Sequence, residues 1–195
     1  MSLTISLTPA QVEQRLASLG IECHFTEPER ISLATTPIVS RPERTFAFPT
    51  PTESSTLSLR NIKAKVGVDP KHQPSFFEHP WYENESFMAT PCPPGWHILT
   101  MEPISGSILQ PVDYLRSLGS SNIELPLAVE VVLMLFLHYV DSREQLLLKK
   151  HTWCSDTASL DRHVTIGAFG RSGVFVSGHP FNFASQGLGI CGRIR

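Results

Sequence analysis

The spacing of hydrophobic positions changes along the chain, and each spacing predicts an element. From Thr8 to Leu19, Val12, Leu16 and Leu19 recur at i, i+4 and i+7, the stripe of an amphipathic helix. Thr8 stands where an N-cap belongs, Pro9 suits the first helical position, Gln11 completes a T-x-x-Q capping box, and Gly20 is a natural stop. A second helix is predicted at about 126–139. Leu127, Val129, Val131, Val132, Leu133, Leu135, Phe136 and Leu137 surround its axis, and a helix apolar on nearly every side is a buried one. The stretch Leu125 to Val140 holds Glu130 and His138 and falls short of the ~20 apolar residues of a bilayer span, so no membrane crossing is expected.

Beyond residue 145 the period becomes 2. Strands are predicted at about 146–154, 163–169 and 174–178, with Gly170-Arg171-Ser172-Gly173 as the hairpin turn between the last two. Runs at 21–25, 57–62 and 96–101 read as further strands, and the Gly-rich tail 187–195 as another. The pattern predicts one α+β domain over 1–195, a mostly antiparallel sheet packed on the 126–139 helix with the 8–19 helix beside it.

Two stretches break the pattern. Residues 27–55 carry Pro28, Pro37, Pro42, Pro49 and Pro51 among Ser and Thr, which predicts an extended surface segment able to wrap a neighbour. Residues 76–87 place Phe76, Phe77, Trp81, Tyr82 and Phe87 among Glu78, Glu83 and Glu85. Such a loop either plugs onto the core with its acids outward or offers Trp81, Tyr82 and Phe87 as contact anchors, large aromatics being dominant contributors to binding.

The C-terminal hairpins bring reactive groups towards one rim. Cys154, Asp156, His163 and His179 fall near the same end of the predicted sheet, and thiolate, carboxylate and imidazole are groups that hold zinc or form a nucleophile–base pair. One residue of register decides whether His163 and His179 share a face. A two-residue turn sets His179 opposite Val164, on the other face from His163. A turn with a bulge at Gly173 sets it opposite Thr165, as a diagonal neighbour of His163.

Composition narrows the function classes. The 195 residues carry a net charge of −2, so no general attraction to nucleic acid is expected; the local Arg60, Lys63, Lys65, Lys71 cluster reads as a solvated face. Cys23, Cys92, Cys154 and Cys191 have no zinc-finger spacing and read as reduced thiols. With no basic, apolar leader at the start, they predict a cytoplasmic protein. No phosphate loop, dinucleotide fingerprint, H-E-x-x-H or G-x-S-x-G is present, so no cofactor or metal is named by motif. The expectation is a non-catalytic binding or assembly module acting through loops, with a protein partner or a second copy. The rivals are a hydrolase with a metal or Cys/His site at the C-terminal rim, and a small-molecule pocket between helix and sheet.

Overall fold

The computed structural model describes residues 4–36, 43–114 and 122–195. β1 (Thr4–Ser6) leads into α1 (Pro9–Ser18) and α2 (Glu27–Thr35). β2 (Thr45–Thr50), α3 (Leu59–Val66) and two 3-10 turns (Pro80–Tyr82 and Ser86–Ala89) precede β3 (Gly95–Thr100). β4 (Ile123–Glu124) is followed by α4 (Ala128–Ser142). Then come β5 (His151–Ala158), β6 (Arg162–Gly170), β7 (Gly173–Pro180), β8 (Leu188–Gly189) and β9 (Arg193–Ile194). The class is α+β, as expected. The strands form two sheets, ordered β1-β2-β3-β9-β4 and β7-β6-β5-β8. Among the described strands, β1–β2 and β5–β8 pair in parallel and the other pairs are antiparallel. Among the described residues no helix is long and apolar enough to cross a membrane.

The position of α4 explains its composition. Every residue from Ala128 to His138 is buried. Phe46 of the first sheet meets His138 edge-on at 5.7 Å, while Phe169 of the second sheet lies 5.7 Å from Phe136. With a sheet on either side and α1 alongside, residues 128–138 of α4 have no face for water. Arg15 of α1 donates to the Leu137 carbonyl at 2.9 Å and to Asp141 at 3.0 Å. The Thr8/Gln11 capping box forms as the sequence predicts, with the Thr8 N–H donating to Gln11 Oε1 at 2.8 Å.

Several expectations are corrected. The 27–55 segment is not an extended surface arm. Its first part is α2, and its last part is β2, all six residues of which are buried between β1 and β3. Pro49 is tolerated there because it shares the parity of Ala47, whose carbonyl accepts from the Leu7 N–H, so its missing donor faces the side where β1 has already ended. Residues 37–42 lie outside the described residues. The run at 57–62 is helical: Ser58 caps α3 through Asn61, and Leu59 and Ile62 are its buried positions, a helical spacing that a short alternation mimics. Residues 21–25 form no strand. The first C-terminal strand begins at His151, not 146, after a turn at Leu146–Lys149; the next two run one to two residues beyond the expected ends. The tail forms two very short strands in different sheets.

The edge strand β7 is covered. Phe76 bridges Val174, the Phe77 N–H donates to the Val174 carbonyl at 2.9 Å, and the Trp81 indole N–H donates to the Val176 carbonyl at 3.0 Å. Gly173 permits this approach: at φ +92° a Cβ would lie 2.6 Å from the Ser75 carbonyl oxygen. Occupied edge groups cannot recruit a foreign strand.

The outer face of the second sheet is also roofed. Trp153 and Leu188 pack with Ile104, Val112 and Ile190 into a smaller core of their own. The roof consists of residues 103–112 and 181–190, tied together by Ile104 N–H to Ile190 O at 2.8 Å and Val112 N–H to Phe181 O at 3.4 Å.

Candidate functional site

The structure separates the four rim candidates. β5 bulges between Trp153 and Thr157, and Cys154 turns inward to the α4 core, fully buried. Burial pushes its thiol well above the ordinary range, and the charge of Asp156 adds to this. Asp156 lies on the α4 side, its Oδ2 accepting from the Ala128 N–H at 2.6 Å. Burial raises its carboxyl to about 6 despite that hydrogen bond. His163 and His179 do share a face, as direct cross-strand partners. The turn pairs Gly170 with Gly173, which alone would set His179 opposite Val164. A bulge between Gly167 and Gly170, with Ala168 at φ +44°, shifts the register by one. Neither register in the sequence reading placed the bulge there. Trp153 meets both imidazoles edge-on, at 6.4 and 6.2 Å, and separates them from Cys154.

The aromatic loop faces inward. Tyr82 and Phe87 are buried, and Trp81 is packed against the core with its indole spent on β7. Glu83 pairs with Lys63, and Glu85 receives Ser159 and lies near Arg162. Trp81, Tyr82 and Phe87 are therefore not surface anchors; their rings are consumed in fastening residues 76–89.

A polar centre that the sequence reading did not assemble sits at the N-terminus of α4. Glu130 is fully buried one turn into the helix. Its Oε2 accepts the Leu127 N–H at 2.6 Å, so the side chain closes the helix end against which its charge is favourable. Its Oε1 lies 2.6 Å from His97 Nδ1 and 3.3 Å from Arg193 Nε. On the far side of the imidazole, Cys92 Sγ lies 3.6 Å from Nε2. Thiol, imidazole and carboxylate thus stand in the order of a nucleophile, its base and the group that orients the base.

Saturated hydrogen bonding argues for a structural role. His97 Nε2 lies 2.9 Å from both Thr50 Oγ1 and the Pro93 carbonyl. The Thr50 hydroxyl spends its single proton on the Pro93 carbonyl and so accepts from Nε2–H. A base for Cys92 needs that nitrogen bare. His97 is also stacked on Phe48 at 5.1 Å, and both His97 and Cys92 are shielded from water. Burial, then the Glu130 charge, push the Cys92 thiol well up, which keeps it protonated and unreactive. The cluster joins β2, β3, α4 and β9 by polar contacts, each group satisfied.

The sequence signal for this centre was a lone acid in an otherwise apolar helix. Its partners at 92, 97 and 193 are distant in sequence and carry no spacing motif. Among the described residues no group of three or more His, Cys, Asp or Glu is placed to hold a metal ion. Two recessed surfaces among the described residues lie elsewhere: a groove of about 550 Å³ beside α1 and residues 20–24, and one of about 220 Å³ between Ile21 and α3. Neither lies between α4 and a sheet, where a small-molecule pocket was expected. No family model, curated protein or solved structure matches the chain.

Proposed function

We propose that the chain is a non-catalytic binding module whose working surface is the loop rim at one end of the second sheet, and that it takes an apolar protein segment flanked by basic residues. The observation that carries this reading is the gathering of exposed apolar side chains there. Leu160, in the β5–β6 turn, is 86% exposed, and Phe181, just after β7, is 60% exposed. Arg162 pairs with both Ala158 and Pro180, which sets the β5–β6 turn beside the segment that follows β7. Leu160 holds φ of +61°, a conformation that costs about 1–2 kcal/mol in a residue with a Cβ. Leu160 at this φ and Asp161 at +50° close the turn between β5 and β6, and the turn leaves the leucine side chain open to solvent.

Charge sets the partner's chemistry. Asp113 and Asp161 fringe the rim and are exposed. The nearby Arg162 is engaged, lying over the Trp81 ring at 5.0 Å and donating to the Ser159 carbonyl. An apolar patch with acidic margins attracts a basic-flanked apolar segment.

Peptides selected by display on the immobilised native chain test the reading. The expected winners carry aromatic or aliphatic centres between Lys or Arg, bind more weakly as salt rises, and lose at least tenfold in affinity for Phe181→Ser and Leu160→Asp. Absence of enrichment, or equal affinity for both variants, overturns it.

The Cys92–His97–Glu130 distances favour a second reading, thiol catalysis after an opening motion. It requires Cys92 to react with iodoacetamide in the folded chain faster than Cys154 does. Equal protection of the two thiols removes it.

A further inference from the structure

The roofed face of the second sheet carries three imidazoles and no acid to balance them. His151 and Trp153 project from β5 to this side, His163 and Thr165 from β6, and His179 from β7. Trp153 is fully buried among them, and its indole N–H donates to the Gln110 carbonyl of the roof at 3.2 Å. His179 stacks on Phe183 of the roof at 4.2 Å, nearly parallel. His163 Nδ1 and Thr165 Oγ1 are buried without a hydrogen-bond partner. The roof cannot neutralise charge, because residues 103–112 and 181–190 contain no acidic or basic side chain.

We infer that this layer is an acid-triggered latch: protonation of His151 and His179 lifts the 103–112 roof from the sheet and uncovers Trp153. A buried imidazolium with no carboxylate is costly, whereas the same ring exposed to water is not. Burial holds His179 below the ordinary imidazole range, and Arg162 adds to this. Burial does the same for His151, with His179 contributing. The other ionisable groups nearby offer no relief. Asp113 and Asp161 are exposed at the margin, and Glu102 is engaged with Lys150 at 3.4 Å on the surface. The sign follows: a lowered folded-state value for a base means stability that is present at neutral pH. It is lost as pH falls through the ordinary imidazole range near 6.5 and below. The 103–112 segment is bonded mainly to 181–190, through Ile104–Ile190, Ser107–Ile190, Leu109–Leu188 and Val112–Phe181, and meets the sheet through the Trp153–Gln110 hydrogen bond and the small apolar core, which is separate from the main core, so it can open while α4 and the first sheet stay folded.

The inference uses no partner and stands apart from the rim reading. Its test is acrylamide quenching of Trp153 fluorescence between pH 7.5 and 4.5, with Trp153→Phe measured in parallel to subtract Trp81 and Trp96. The expected result is a reversible, at least fivefold rise in Trp153 quenching below pH 6.5 with unchanged helical circular dichroism. In His151→Gln/His179→Gln the rise moves at least one pH unit lower or disappears. Should that double variant misfold, His179→Gln carries the comparison, since its side chain is partly open to solvent. A Trp153 that stays shielded to pH 4.5, or that is uncovered at the same pH in parent and variant, overturns the latch.

Discussion

Glu130→Gln is the sharpest perturbation of the frame. Glutamine keeps the length of the side chain and an oxygen for the Leu127 N–H. It removes the charge that meets His97 Nδ1 at 2.6 Å and Arg193 Nε at 3.3 Å. Breaking a buried charged pair from one side costs about 3–5 kcal/mol, because the partner is left without compensation. His97, sealed from water, loses the carboxylate that faces its Nδ1. Arg193 bears little, since a third of its side chain, 32%, is already exposed and can turn outward. Set against a total of about 5–15 kcal/mol for a typical domain, the variant still folds, but barely at the low end. For a chain of this size the loss lowers Tm by roughly 6–20 °C, at ~2–4 °C per kcal/mol. Urea unfolding followed by circular dichroism should show a lower midpoint with an unchanged slope. His97→Phe/Glu130→Met removes both partners at once, and replacement of a buried pair by packed apolar groups is often neutral. The double variant is therefore expected to recover most of the loss. A single variant within about 1 kcal/mol of the parent, or a double variant worse than the single, refutes the reasoning.

Three further outcomes follow from particular residues. Asp156, raised from 3.8 to about 6 by burial, favours the folded state most when protonated; its contribution is present below pH 4 and lost as pH rises through about 6. Asp156→Asn keeps an acceptor for the Ala128 N–H. Denaturation at pH 8 should find it more stable by up to about 3 kcal/mol, at 1.36 kcal/mol per pH unit, with the difference gone at pH 4; destabilisation at pH 8 contradicts this. Leu160→Gly relieves a positive φ and should raise stability by about 1 kcal/mol in urea unfolding while weakening capture of the selected peptides, whereas a loss of stability would show that the leucine is held by packing. All four cysteines are buried, so none should react with a thiol reagent over minutes at pH 8 until denaturant is added; one fast stoichiometric thiol contradicts the packing.

Elements with strong local signals were legible from the residues alone. The Thr8–Gln11 box and the leucine stripe define α1, and the all-round apolar run defines α4. The three long C-terminal strands and their order also follow from alternation and the Gly-rich turn. What failed depended on partners far along the chain. Pro49 argued against a buried strand, and only the early end of β1 makes it harmless. The first sheet is completed by strands as short as two residues, below any periodic signal. The bulge at Ala168 moved His179 by one residue and so decided its neighbour. Cys154 and His163 were expected at one rim, yet the β5 bulge and the alternation around Trp153 send the thiol to the opposite core. The polar centre was hidden because Cys92, His97 and Glu130 meet only after β3 and α4 have packed.

Affinity of one selected peptide for two variants, measured side by side, bears most directly on where this chain does its work. Phe181→Ser alters the rim and leaves the polar centre intact; Cys92→Ala removes the buried thiol and leaves the rim intact. The expected result is at least tenfold weaker binding by Phe181→Ser and unchanged binding by Cys92→Ala. Loss of binding with Cys92→Ala and none with Phe181→Ser would contradict a working surface at the rim.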